Sequence, residues 1–126
     1  MQQKNTVLSF ASGFGHSRGM RTGTSTRSAL TIRYKIKPGY REKLLPELKR
    51  VLDLCAQEPE FVLAFLQESP ERPDELRLFE VWKGTTEEFA RVQGPKAYRQ
   101  KYLAETKPMV VSVDLEWNTV TGEWSN

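Results

Sequence analysis

The sequence has few of the residues on which many active sites depend. Among its 126 residues there is one histidine, His16, and one cysteine, Cys55. A single cysteine excludes an intrachain disulfide and a cysteine-based metal cluster, and a single histidine excludes a metal site with two histidine ligands. Cys55 falls on the apolar face of a predicted helix, where a small core residue is a better interpretation than a reactive thiol.

Long apolar runs are also missing. No segment approaches the length of a membrane span, and the N-terminus lacks the continuous apolar stretch of a secretory signal. We therefore expect a soluble, cytoplasmic protein with no membrane partner.

Acidic residues are absent from residues 1–41, which hold eight of the 19 lysines and arginines. The rest of the chain holds the other 11 basic residues and all 16 acids, a net charge of −5. A nucleic-acid surface needs basic residues gathered on folded elements beside base-stacking aromatics, and this distribution does not supply them. We therefore expect no nucleic-acid partner.

Three regions follow from the pattern along the chain. Residues 1–28 are rich in glycine, serine and threonine without apolar periodicity, which predicts a flexible or loosely ordered extension. An organelle transit peptide has a similar composition and is the alternative. Residues 29–118 carry the periodic segments of one domain, and residues 119–126 form a short C-terminal tail.

The domain begins with a strand and a helix. Residues 29–37 alternate apolar and polar side chains, which predicts a strand that stops at Pro38-Gly39. From about residue 40 to 57 the apolar side chains recur every three or four residues, which predicts an amphipathic helix. Its apolar positions are Leu44, Leu48, Val51, Leu52 and Cys55.

The rest of the domain adds two strands, a second helix and a last strand. Residues 61–67 are apolar on both faces and residues 75–83 form the next strand, with a polar turn at 69–74 between them. Thr85 or Thr86 can cap the following helix, which Gly94-Pro95 interrupts before it restarts, with Pro95 at its first position, and runs to about residue 105. A last strand alternates from Met109 to Trp117. The order β-α-β-β-α-β predicts an α+β, ferredoxin-like subunit with an antiparallel sheet and both helices on one sheet face.

The helices leave the other sheet face without cover. Strand 61–67 is apolar on both faces, so part of its apolar surface must point away from the helices. An exposed apolar sheet is an association site, and a second copy packed sheet against sheet is the simplest solution. We therefore predict a homodimer.

Three segments together carry a family resemblance: IKPG at 36–39, FEVWK at 79–83 and the interrupted helix at Gly94-Pro95. With the hairpin and the closing strand, they make residues 29–118 similar to the antibiotic biosynthesis monooxygenase family. The resemblance implies a dimeric α/β barrel with a small-molecule pocket between sheet and helices in each subunit. The family includes cofactor-free oxygenases of quinols and anthrones, heme-degrading oxygenases and an isomerase.

Trp82 matches a pocket tryptophan of the heme-degrading branch, but the asparagine and histidine of that branch have no match here. Where many relatives have histidine, this chain has Arg91 and Lys96, and arginine stays protonated and cannot act as a base. The resemblance therefore favours ligand binding near Trp82 over proton abstraction near Arg91.

The candidate site residues follow from this match. Trp82, Arg91 and Tyr98 are the candidate catalytic residues: the tryptophan as stacking surface or N–H donor, the arginine as anion stabiliser and the tyrosine as proton donor or acceptor. The candidate substrate contacts are Trp82, Phe89, Tyr102 and Arg33. All of these except Arg33 have a structural alternative, because Trp82 and Phe89 suit a core, the two tyrosines suit packing on the sheet, and Arg91 can pair with Glu87 or Glu88. Arg33, on the first strand, is a weaker candidate for an anion contact.

Two functions remain open. The first is a monooxygenase of small aromatic, quinol-like compounds that needs no cofactor and no metal. The second is a non-catalytic dimeric barrel that binds a small apolar ligand or serves only in assembly. An enclosed apolar pocket bounded by Trp82, with Arg91 or Tyr98 pointing inward, favours the first, and a cavity filled by Trp82 and Phe89 favours the second.

Overall fold

The computed structural model describes residues 26–126. Almost all of the predicted N-terminal extension, 1–28, and His16 lie outside the described residues. The elements in chain order are β1 (Arg27–Ile36), α1 (Arg41–Cys55), β2 (Phe61–Ser69), β3 (Arg72–Lys83), α2 (Thr86–Val92), α3 (Ala97–Thr106), a 3-10 turn (Lys107–Met109) and β4 (Val110–Thr119). This confirms the predicted ferredoxin-like α+β class, with the second helix broken in two.

The four strands form one antiparallel sheet in the order β2-β3-β1-β4. The two central strands pair Ser28 with Trp82 and Leu30 with Glu80, so these four residues share one face of the sheet. Because successive side chains of a strand alternate between faces, this register fixes which residues meet the helices.

The core lies between this sheet face and the helices. Its buried residues come from the two central strands and from α1, as the apolar periods predict. They are Leu30, Ile32, Tyr34, Ile36, Leu44, Leu48, Leu76 and Leu78. Val51 and Cys55 are buried on the same face of α1, which confirms Cys55 as a buried residue of that face.

The hairpin between β2 and β3 is tighter than predicted. The sequence predicts a turn over 69–74, whereas Ser69 pairs with Arg72 and only two residues turn. The pairing register shifts between Glu68 and Ser69. Pro73 lies in the strand beside this irregularity, where its missing N–H interrupts no regular ladder.

The closing strand also departs from simple alternation. Lys35 pairs with Ser112 but Ile36 pairs with Val110, so Val111 is an extra residue in a β-bulge. The core therefore takes Val110, and Val111 is 59% exposed rather than part of the apolar face that alternation predicts.

The entry into α2 is sharply defined. Gly84 adopts φ +99°, a left-handed conformation that glycine accepts without penalty. Thr85 then accepts the Glu88 N–H at 3.0 Å, and the Glu88 carboxylate accepts the Thr85 N–H at 2.8 Å. This capping box confirms Thr85 as the cap. Pro95 precedes the next helix, whose cap is Lys96, instead of occupying its first position.

The opposite sheet face carries the alternate residues of the same strands. Phe79 and Val81 point away from the helices, and Leu63 and Phe65 are their partners on β2. Phe65 is 58% exposed, so this chain does not cover β2 on both faces, contrary to the prediction from its apolar sequence. No helix in the described part of the chain is long and apolar enough to cross a membrane.

Candidate functional site

Trp82 lies at the end of β3 and is the centre of an aromatic cluster. Its side chain is 1% exposed. Phe61 and Phe89 approach it edge-on with ring centroids at 5.2 and 5.1 Å, and Trp117 lies 4.9 Å from Phe89. Such edge contacts are favourable, so Trp82 is a packed residue as well as a candidate ligand contact.

Glu80 is a buried carboxylate beside this cluster. It is 3% exposed on the helix-covered face, and its Oε1 accepts the Trp82 indole N–H at 2.7 Å. Burial raises the pKa of Glu80, although the indole hydrogen bond and the charge of Arg99 lower it in part. Sequence reasoning missed this residue. The available signal was an acid at a core position in the alternation Leu76, Leu78, Glu80, Trp82.

Arg99 reaches the same cluster from α3. Its guanidinium carbon lies 5.0 Å from the Phe89 ring centroid and 5.8 Å from that of Trp82, which are cation–π distances. One terminal nitrogen donates to the Cys55 sulfur at 3.3 Å. Its Nε is buried and has no hydrogen-bond partner. Sequence reasoning missed this cation too, since no local pattern distinguishes it from surface arginines.

A cleft of about 320 Å³ opens beside the cluster. Three of the predicted site residues, Trp82, Phe89 and Arg91, line it. The charged side chains in its lining include both acidic and basic residues. The lining residues are Glu60, Trp82, Lys83, Gly84, Glu88, Phe89, Arg91, Val92 and Gln93. Arg91 is exposed at this cleft, and Glu88 is held by the capping box.

Gln93 closes one side of the cleft at the end of α2. Its side chain is 1% exposed, and its Nε2 donates to Glu60 Oε1 at 3.2 Å. Its Oε1 is buried without a hydrogen-bond partner. The Gln93–Glu60 contact joins residues 33 positions apart, so no sequence period could have revealed it.

Tyr98 lies away from this cleft. Its hydroxyl donates to Glu58 Oε2 at 2.9 Å, and it lines a smaller cleft of about 80 Å³ between α1 and α3. Burial and the hydrogen bond to Glu58 raise the pKa of Tyr98. Burial alone would raise the pKa of Glu58, but hydrogen bonds from Lys96 and Tyr98 outweigh it and lower that pKa.

Tyr102 also lines the smaller cleft and packs against the core. Its hydroxyl donates to the Tyr34 hydroxyl at 3.2 Å. Burial raises the pKa of both tyrosines, which keeps them protonated.

Arg33 lies on the other side of the sheet. It is exposed and pairs across the strands with Arg77 and Asp114, on the face opposite Trp82. The structure thus brings Trp82, Phe89 and Arg91 together and places Tyr98, Tyr102 and Arg33 elsewhere. Among residues 26–126, no group of three or more His, Cys, Asp or Glu side chains could hold a metal ion.

Comparison with known proteins gives a family model and a set of similar structures. The antibiotic biosynthesis monooxygenase model matches residues 28–100. No curated protein sequence matches the chain.

Three solved structures illustrate the similarity of fold. A protein from Mycobacterium tuberculosis is 20% identical with a TM-score of 0.70, covering 79% of this chain and 99% of that one. A candidate antibiotic biosynthesis monooxygenase from Chloroflexus aurantiacus is 19% identical with a TM-score of 0.61, covering 79% and 96%. A protein from Bacteroides thetaiotaomicron is 18% identical with a TM-score of 0.69, covering 77% and 100%. At these identities the likeness shows the fold alone.

Proposed function

The chain belongs to the antibiotic biosynthesis monooxygenase family, and from that premise we propose that it is a cofactor-independent monooxygenase of small aromatic, quinol-like compounds. In such a reaction an electron-rich substrate anion itself supplies the electrons that reduce O2. One oxygen atom enters the ring system and the other leaves as water. The protein needs to bind the aromatic, favour its anion and exclude water.

The observation that carries the proposal is the cleft at the end of β3. Trp82, Phe89 and Arg91 line it together, as the family resemblance implies. Its volume of about 320 Å³ is near the lower end of the range for small-molecule sites, about 300–1,000 Å³. A compound of one or two fused rings is therefore a better fit than a larger one.

The contacts of each residue narrow its role. The Trp82 N–H is already donated to Glu80, so Trp82 serves as an aromatic wall and Glu80 positions it. Arg91 is a permanent cation at the rim, suited to a substrate oxyanion. Glu60 brings a carboxylate to the cleft, and we assign it as the proton acceptor that the missing histidine would otherwise supply.

One observation favours the alternative of a non-catalytic, ligand-binding or assembly protein. Phe61 and Phe89 both pack edge-on against Trp82, so much of the indole is already covered by protein. If that packing persists when a ligand is bound, the cleft can hold the ligand without any contact between the ligand and the Trp82 indole.

Association through the open sheet face is part of the proposal. Members of this family bind small ligands and are typically dimeric. Leu63, Phe65, Phe79 and Val81 are apolar residues on the sheet face away from the helices, which supports a homodimer through that face. Light scattering at micromolar concentration checks this, and a monomer would end it.

Oxygen uptake tests the activity. Purified protein is incubated with dihydroxynaphthalenes and with the larger, three-ring anthrones, without added flavin, heme or metal. O2 consumption above the uncatalysed rate is expected with the dihydroxynaphthalenes, which match the volume of the cleft. Trp82→Phe or Arg91→Ala should lower kcat/KM by about ten-fold or more, the loss of one charged or stacking contact. Arg72→Ala in the β2–β3 hairpin, far from the cleft, is the matched control and should leave the rate unchanged.

The two functions give different results. If no compound is consumed but one raises the melting temperature, the binding alternative replaces the oxygenase. If no compound is consumed and none raises the melting temperature, the protein serves only in assembly.

A further inference from the structure

The tail that follows β4, residues 120–126, carries a large aromatic side chain in solvent. Trp124 is 90% exposed, whereas Trp82 is 1% exposed. Tryptophan is highly buried on average in folded proteins, and its side chain buries about 150–250 Å² when it is covered. An indole this exposed is typical of a residue that contacts another molecule.

The tail is held at one end of the sheet. Val120 donates its backbone N–H to Arg27 O at 2.9 Å, and Glu123 accepts a hydrogen bond from the Arg27 guanidinium at 2.6 Å. The indole lies against Gly122, where an added Cβ would be 2.8 Å from the ring. The tail therefore presents Trp124 from a defined position beside the start of β1.

A groove that can accept an indole lies at the opposite end of the same sheet. Its volume is about 650 Å³, and it is formed by the turn between β1 and α1, the start of β3 and the bulge of β4. Its apolar lining includes Val111, which is 59% exposed. Its basic residues are Lys35, Lys37 and Arg41.

The charges of this groove favour an aromatic occupant. Lys35 pairs with Asp74 at 3.4 Å, and Arg41 pairs with Glu68. Lys37 forms no ion pair with any acid of residues 26–126. An ammonium group attracts the face of an aromatic ring, and tryptophan is the best such partner.

A chain cannot place Trp124 in its own groove. The tail is anchored at Arg27 and the groove begins at Ile36, nine residues further along β1, which is about 30 Å. The Cα of Trp124 is only about 3.8 Å from that of the anchored Glu123. The occupant must therefore come from a second chain.

The proposed homodimer brings the two features together. The apolar residues of the open sheet face lie level with Ala29 and Thr31 of β1, so their centre is at the level of Leu30. Ile36, at the groove, is six residues or about 20 Å to one side of this level. Trp124 is seven residues or about 23 Å to the other side, two along the sheet and five along the tail. A two-fold axis at this level, perpendicular to the strands, exchanges the two sides.

We propose that Trp124 of each subunit binds in the groove of the partner subunit, with Lys37 over the indole face and Val111 in contact with the ring. The contact occurs twice, as a two-fold interface requires. This inference rests on the homodimer of the proposed function and adds to it the residues by which one copy recognises the other.

A cross-link tests the contact directly. Full-length Trp124→Cys protein is mixed with full-length Val111→Cys protein and treated with bismaleimidoethane, a short linker that replaces the length of the lost indole. Mass spectrometry should find the product that joins the two different chains. Gln57→Cys, an exposed position just beyond α1 at the tail end of the sheet, replaces Val111→Cys in the control and should give no mixed product. Cys55 is buried, so it does not compete.

Dimer affinity measures what the indole contributes. Trp124→Ala should raise the dimer dissociation constant about ten-fold or more, the effect of losing an aromatic anchor, and Trp124→Phe should recover part of the loss. Lys37→Ala should raise it about three-fold. Ser125→Ala and Lys49→Ala, both at exposed positions, are the matched controls and should leave it unchanged.

The outcomes separate this inference from the homodimer itself. A parent protein that is monomeric by light scattering ends both. A dimer whose dissociation constant is unchanged by Trp124→Ala ends the contact alone. A dimer that depends on Trp124 but gives no cross-link to Val111→Cys overturns the groove as the binding site.

Discussion

The two halves of the helix-covered sheet face differ in chemistry. Under α1 the contacts are mainly aliphatic, with Leu44 and Leu48 fully buried against the central strands and Tyr34 as the buried aromatic residue of that cluster. Beside α2 and α3 the buried groups include Glu80, Trp82 and Gln93. The apolar side chains of the first half need only good packing. The second half contains buried polar atoms, and burying them costs free energy unless they are hydrogen-bonded. From this difference we expect the α1 half to contribute more to stability than the α2–α3 half, where Glu80 and Gln93 are buried.

Leu48→Ala is the strongest test of the α1 half. It removes a fully buried side chain, and such substitutions cost about 2–5 kcal/mol in free energy of unfolding. Urea unfolding should show this loss, while the affinity of the folded protein for a dihydroxynaphthalene stays unchanged. Leu54→Ala, on the exposed side of the same helix, is the control and should cost much less. A Leu48→Ala protein of parent stability would erase the contrast.

Glu80→Gln tests the α2–α3 half through the pH dependence of the free energy of unfolding. Its expected effect is smaller than that of Leu48→Ala. Burial raises the pKa of Glu80 above its ordinary value of 4.5. The folded protein therefore keeps a proton that the unfolded chain releases, so the free energy of unfolding falls as pH rises from 4.5 through the raised pKa. Glutamine cannot ionise and still accepts the Trp82 N–H, so the variant should lose this fall.

The measurement is urea unfolding at a series of pH values. Glu58→Gln serves as the control, because the lowered pKa of Glu58 places its contribution at lower pH, where stability is lost as pH falls through that pKa. Parallel pH curves for the parent and Glu80→Gln would show that the carboxylate is not a cost to the fold.

Thr85→Ala is the mildest of the three. It removes one half of the capping box of α2, and loss of such a cap costs about 0.5–2 kcal/mol. Because α2 carries Phe89 and Arg91, hydrogen exchange should quicken in α2 while the amides of α1 keep their protection. Equal acceleration in both helices would show that the two halves do not open separately.

Most of the fold follows from the sequence, because repeating apolar positions reveal elements directly. The period of α1 and the alternation of β1 predict both elements to within about two residues. The errors arise where one residue breaks the pattern: Val111 enters a bulge, and Pro73 is accepted inside a strand beside a register shift.

The candidate site follows from the sequence only in part. The sequence alone can group Trp82, Phe89 and Arg91, because they lie within ten residues of one another in the chain. Gln93 and Glu60 meet only because the end of α2 packs beside the start of β2. Such contacts between distant segments leave no trace in local periodicity.

The bulge at Val111 also affects how easily another strand could pair with the edge of the sheet. β4 is an edge strand, and an unprotected edge offers its backbone to further strands and so to aggregation. Here the bulge distorts one end of that edge, and Asp114 and Glu116 add charge along its open-face side. Strand addition along β4 is thereby discouraged, so the edge of the sheet is guarded by geometry at one end and by charge along its length.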